Sequence, residues 1–103
     1  MKIAMHPGEF LNELYIKPYN LDIKELARAL RVAQSDLHLL INQRADLSVG
    51  MAIRLSMVIG RSPESWLNMQ QNYAINEYKA SHEKDLAELC RMHFLCNFDG
   101  GPE

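Results

Sequence analysis

Residues 22–44 read DIKELARALRVAQSDLHLLINQR. Ile23, Leu26, Ala27 and Leu30 stand at i, i+3, i+4 and i+7, and Leu37, Leu40 and Ile41 resume the spacing after a break at Arg31-Val32-Ala33. Each half therefore predicts a helix with one apolar face. Two such faces joined by about three residues pack at an angle, as in a helix-turn-helix whose second member enters a DNA major groove. Asp22 ahead of the first helix, with Glu25 three residues on, makes a capping-box pattern. In it the Asp22 carboxylate accepts an amide hydrogen bond and Glu25 reaches back.

At about 100° per residue, Leu37, Leu40 and Ile41 mark the covered face of the second helix and Ser35, Leu39 and Asn42 the opposite one. Gln34 leads that helix, and its amide has the geometry for paired hydrogen bonds to adenine. Ser35 suits a base edge or a phosphate, and an outward Leu39 suits a thymine methyl group. His38, Asn42, Gln43 and Arg44 complete the candidate DNA-contacting set, together with Lys24 on the first helix. Lys24, Arg31 and Arg44 flank the pair, as cations that hold phosphates and set position rather than sequence preference. Plainer readings stand beside these, since single exposed leucines need no partner and surface Lys and Arg are ordinarily solvated. Asp36 opposes phosphate approach unless it accepts from a cytosine amino group.

Working outward, His6-Pro7-Gly8-Glu9 opens an earlier helix with apolar Phe10, Leu11 and Leu14. Pro7 suits a first-turn position, Pro18 ends the segment, and Asn20 tolerates a left-handed link. Beyond the pair, Ser48 is an N-cap for VGMAIRLSMVIG at 49–60, apolar almost all the way round and so expected to be buried on several sides. Gly60 stops it, and Ser62-Pro63-Glu64 starts a fifth helix carrying Trp66, Leu67, Met69, Tyr73 and Ala74. A sixth segment, HEKDLAELCRMHFL at 82–95, places Leu86, Leu89, Cys90, His93 and Phe94 on one helical stripe. From Asp99 the chain is expected to fray. The organisation expected is residues 1–80 as the helix-turn-helix domain and 81–103 as a C-terminal helical extension and tail. Trp66, Leu67, Tyr73 and Leu89 are the expected dimer interface, because so much apolar stripe is seldom left uncovered.

The 103 residues suffice for one helical core and are few for an enzyme with a deep cleft. Hydrophobic residues make up 48% and aromatics only 8%, with no alternating β-branched run, so the fold class is all-α. A net charge of −2 excludes a polycation that grips DNA by bulk charge, leaving phosphate contact to local patches. The histidines His6, His38, His82 and His93 follow no His-Glu-x-x-His pattern, and no phosphate loop occurs, so no catalytic residue is assigned. Cys90, His93 and Cys96 lack the paired spacing and the fourth ligand of a structural zinc site; they are read as packing residues, with no metal and no cofactor. MKIAMHPGEF has no secretory apolar region, and no run approaches the roughly 18 apolar residues of a membrane span, so a cytoplasmic protein with no membrane contact is expected.

His6-Pro7-Gly8-Glu9, the central helix pair, Ala52-Ile53-Arg54-Leu55 and Ser62-Pro63-Glu64-Ser65-Trp66-Leu67-Asn68-Met69-Gln70 together resemble the HigA antitoxins, a group that includes the virulence-associated protein I proteins. The resemblance covers roughly residues 5 to 78, and the pairing of an HPGE start with an SPExWLNxQ helix is far more specific than a helix-turn-helix alone. It implies a five-helix lambda-repressor-like DNA-binding domain, here with an extra C-terminal helix. It also implies a homodimer on palindromic double-stranded operator DNA, repression of its own operon, and neutralisation of a HigB-type toxin that cleaves messenger RNA. The chain departs from the group's pattern at Ile23, where a phosphate-clamping Gln is frequent, at Asp36, often basic, and at Gln43, usually Gly. Without Gly at 43, that turn either avoids positive φ or carries about a kilocalorie per mole of strain. The alternatives are a stand-alone helix-turn-helix regulator with no toxin, and a protein-only interaction module that has lost DNA binding.

Overall fold

The computed structural model describes residues 4–92, and among them there are helices and turns but no strand. α1 (Pro7–Leu11) starts on His6, whose ring Nδ1 accepts the Gly8 amide at 2.9 Å. It runs unbroken into a wider π-helical stretch, Asn12–Ile16, where the Lys17 amide reaches back five residues to the Asn12 carbonyl. α2 (Ile23–Leu30) and α3 (Gln34–Ile41) form the expected pair, and α4 (Val49–Val58), α5 (Pro63–Ser81) and α6 (Glu83–Ala87) follow. The caps at Ser48 and Ser62 form as read, accepting from the amides of Met51 and Ser65. The capping box forms by half. Asp22 accepts from the Lys24 amide, but Glu25 turns away and pairs with Arg28 at 3.3 Å.

Helices α1, α2 and α3 enclose a core built on Leu11, Leu26, Leu30, Leu37 and Leu40, closed from the other side by Ala52 and Leu55 of α4 and Trp66 of α5. Gly8 lies directly against α3. A Cβ there would overlap the Leu40 carbonyl oxygen, so only glycine lets α1 approach the end of α3 this closely. Trp66 is fully buried and donates its indole N–H to the Gly60 carbonyl at 2.9 Å. It therefore supports its own domain and presents nothing to a second chain, contrary to its expected place in a dimer interface. Leu67 is half-buried against the same core. Tyr73 is half-buried, its ring meeting His6 edge-on at 4.9 Å.

Two further expectations are corrected. α4 is not buried on several sides: Ala52 and Leu55 are covered, while Val49, Ile53, Met57 and Val58 are exposed. The core has one free side for this helix, and an all-round apolar sequence cannot say which of its faces will be left out. The sixth helix is one short segment ending at Ala87, so Leu89 and Cys90 stand beyond it, exposed, and Cys90, a free thiol, does not pack as expected. His93, Phe94, Cys96 and the tail from Asp99 lie outside the described residues. Within α5 only Trp66 is buried, and α6 packs against α5. The later turns of α5 are largely exposed, and the molecule measures 58 Å along its longest axis. No described helix is long and apolar enough to cross a membrane.

Candidate nucleic-acid interface

α3 presents its outer face without obstruction. Gln34, Ser35, His38, Leu39 and Asn42 are all exposed, as are Gln43, Arg44 and, on α2, Lys24. Around the helix these residues fall in an order: Gln34 and His38 on one flank, Asn42 and Ser35 at the centre, Leu39 on the other flank. The Gln34 amide nitrogen and the His38 ring nitrogen lie 3.4 Å apart, so the first flank is a linked polar pair. The second flank is different. Leu39 and Asp36 border a groove of about 320 Å³ that α3 shares with Gly50, Met51 and Arg54 of α4. Asp36 thus stands at the edge of the outer face, on the α4 side, rather than at its centre.

The supports of this face explain the residues that sequence reading did not single out. Arg54 crosses from α4 to donate to the Leu30 carbonyl at 2.8 Å, tying off the end of α2 just before the turn. A lone cation in the apolar stretch VGMAIRLSMV was the available signal for it. Gln70 of α5 accepts the Leu47 amide at 2.8 Å and donates to Asp46 at 3.4 Å, fixing the loop that leaves α3. No periodicity pointed to Gln70, which entered only through the SPExWLNxQ resemblance. His6 bears on the same loop. Burial lowers its pKa, against the opposing pull of Asp46, a backbone hydrogen bond to Ala45, and Glu9.

The turns on either side of α3 share one construction. Arg31 and Gln43 both take left-handed backbone, at φ 60° and 61°. In each, the following amide reaches back five residues, Val32 to Ala27 and Arg44 to Leu39. This is the terminus that glycine usually makes. Gln43 thus takes the strained of its two expected alternatives, in a turn closed by hydrogen bonds from the Gln43 amide to the Leu40 carbonyl at 2.9 Å and from the Arg44 amide to the Leu39 carbonyl at 2.8 Å. Asn20 ends the first helix in the same way at φ 51°, as its side chain permits. Arg31 and Arg44 sit at the two ends of α3, exposed and, like Lys24, without an ion pair to any described residue. Ile23, at the phosphate-clamp position, is instead half-buried on the core.

An open polar helix face held between cations, on a frame braced by the part-buried hydrogen bonds of Arg54 and Gln70, is a surface for positioned contact with a duplex. No model of a protein family matches the chain. Among proteins of known sequence it is 38% identical, over 94 residues, to the uncharacterized HTH-type transcriptional regulator YddM of Escherichia coli, covering 89% of this chain and 97% of that protein. Among solved structures, the antitoxin GraA in complex with its operator superposes with a TM-score of 0.81 at 32% identity, over 91% of this chain and 95% of that one. The Pseudomonas aeruginosa antitoxin HigA with the higBA promoter gives a TM-score of 0.81 at 27% identity, over 87% and 99%. The sequence match over 89% of the chain and the shared placement of the helices lead to one conclusion: the chain belongs to the Xre-like helix-turn-helix regulators of the HigA antitoxin group.

Proposed function

We propose that this protein is a non-enzymatic, DNA-binding antitoxin of the cytoplasm that pairs on double-stranded operator DNA, represses its own operon, and neutralises a HigB-type toxin. The observation that carries the DNA part is the uncovered outer face of α3, with Gln34, Ser35, His38 and Asn42 turned to solvent between Arg31 and Arg44. Two similar proteins in complex with operator or promoter DNA support it. Gln34 and Leu39, on opposite flanks, would read bases, while Lys24, Arg31 and Arg44 would hold phosphates. The toxin part rests on the family alone.

Titration of the protein against its own promoter at several salt concentrations tests the DNA reading. Gln34→Ala and Leu39→Ala should each reduce operator preference by about 1 to 3 kcal/mol, while Arg44→Ala should weaken all sequences alike and flatten the salt dependence by about one counterion. Binding with no sequence preference in the unaltered protein would end the operator claim. YddM carries only the name of a transcriptional regulator, which favours as second reading a regulator without a toxin. Growth rescue on co-expression with the product of an adjacent small, basic reading frame separates the two.

A further inference from the structure

The side chain of Gln34, which leads α3, has one hydrogen-bond partner among the described residues. Its amide nitrogen lies 3.4 Å from Nε2 of His38, four positions later on the same flank. An amide nitrogen only donates, so Nε2 of His38 accepts and the imidazole carries its proton on Nδ1. Ala33, the residue that caps this end of the helix, has no side chain to compete for the bond.

A glutamine amide has two hydrogens and one carbonyl oxygen. Paired recognition of adenine uses the oxygen and one hydrogen, which meet the amino group and N7 of the base. The second hydrogen is left over, and His38 accepts it. A terminal amide torsion is roughly two-fold, so an exposed glutamine offers its oxygen and nitrogen in either order at little cost. His38 removes that choice. Turning the amide over would set its carbonyl oxygen against a ring nitrogen that is itself an acceptor. A water molecule in the same place donates as readily as it accepts and would leave both orders open.

We infer that His38 is a positioning residue for base reading: it holds the Gln34 amide in one order, so that Gln34 selects adenine, and does not itself read a base. The inference rests on the operator-binding reading above and names the source of its specificity at one base pair. Two features favour the indirect role. The first residues of the second helix in a helix-turn-helix are the ones nearest the base edges, and His38 stands about 6 Å farther along α3 than Gln34. The Nε2 atom that His38 would otherwise turn to a base is already committed to Gln34. Leu39, on the opposite flank, has no side-chain donor or acceptor and so needs no such support.

Equilibrium binding of the full chain at one salt concentration tests this, on its own promoter and on a series in which each base pair of a half-site is replaced in turn. The variants are Gln34→Ala; His38→Phe, which keeps a ring and removes the acceptor; His38→Gln, whose carbonyl oxygen restores one; and Gln34→Ala combined with His38→Phe. Both positions are exposed, and far-ultraviolet circular dichroism checks that each variant remains helical. The expected result is that Gln34→Ala and His38→Phe each lower the preference for adenine about tenfold at the same base pair. His38→Gln should keep most of that preference, and the double variant should lose no more than Gln34→Ala alone. The inference is overturned, with operator binding intact, if His38→Phe keeps the adenine preference, loses preference at a different base pair, or loses more in the Gln34→Ala background. Failure of His38→Gln to recover the preference overturns it as well. An unaltered protein that prefers no sequence would end the operator reading and this inference together.

Discussion

α2 and α3 on one side, and α4 with the outer part of α5 on the other, handle apolar residues in opposite ways. In the first pair nearly every apolar residue at helical spacing finds cover: Leu26, Ala27 and Leu30 in α2, Leu37 and Leu40 in α3. The exception, Leu39, lies on the face assigned to DNA. In the second region Val49, Ile53 and Met57 of α4 and Ile75 and Tyr78 of α5 remain open. The core of so small a domain is filled by the time it has closed on Trp66, and the residues left over stay on the surface.

That contrast can be broken most forcefully at Trp66. Trp66→Ala should cost about 4 kcal/mol in urea unfolding, whereas Ile75→Ala should stay within about 0.5 kcal/mol. Similar losses at the two sites would erase the distinction between closed core and open extension. Gly8→Ala comes next, at about 3 kcal/mol, because the added methyl group meets the backbone carbonyl of Leu40 and not a yielding side chain. A thermal midpoint unchanged by this variant would mean that α1 does not sit against α3 as described.

A stabilising change sharpens the same comparison. Gln43→Gly relieves a left-handed residue and should add about 1 kcal/mol, with Asn20→Gly adding clearly less because Asn already tolerates that conformation. Equal gains at both positions would refute the account of strain at Gln43. The smallest effect concerns acid. His6 is buried with its pKa lowered, so the folded state favours the neutral ring, and its contribution is complete above the ordinary value of 6.5 and declines as pH falls below it. The net shift is limited, since Asp46, Ala45 and Glu9 oppose the burial. His6→Asn, which keeps a cap acceptor, should flatten this acid limb, and an unchanged pH profile would assign the limb to other groups.

Much of the candidate site was legible in residues 22–44, because apolar spacing and turn chemistry act locally. The helix pair, the caps at Ser48 and Ser62, the left-handed Asn20 and the outward Ser35, Leu39 and Asn42 all follow from neighbours within a few positions. Gln70 binding Leu47 and Arg54 binding Leu30 did not, since their partners are 23 and 24 residues away. Glu25 shows that even a local pattern offers alternatives: a capping return and an exposed pair with Arg28 differ by too little for sequence to choose.

The order of helices, their limits through α5 and the face that α3 turns outward were thus determined by the sequence itself, through backbone sterics and apolar periodicity. Which apolar residues of α4 and α5 became core was decided only by the tertiary structure. Trp66, expected at a dimer contact, went inside, and Val49, Ile53 and Met57 of α4, expected inside, stayed out. Burial belongs to the space between helices, and that space is known only once all of them have met.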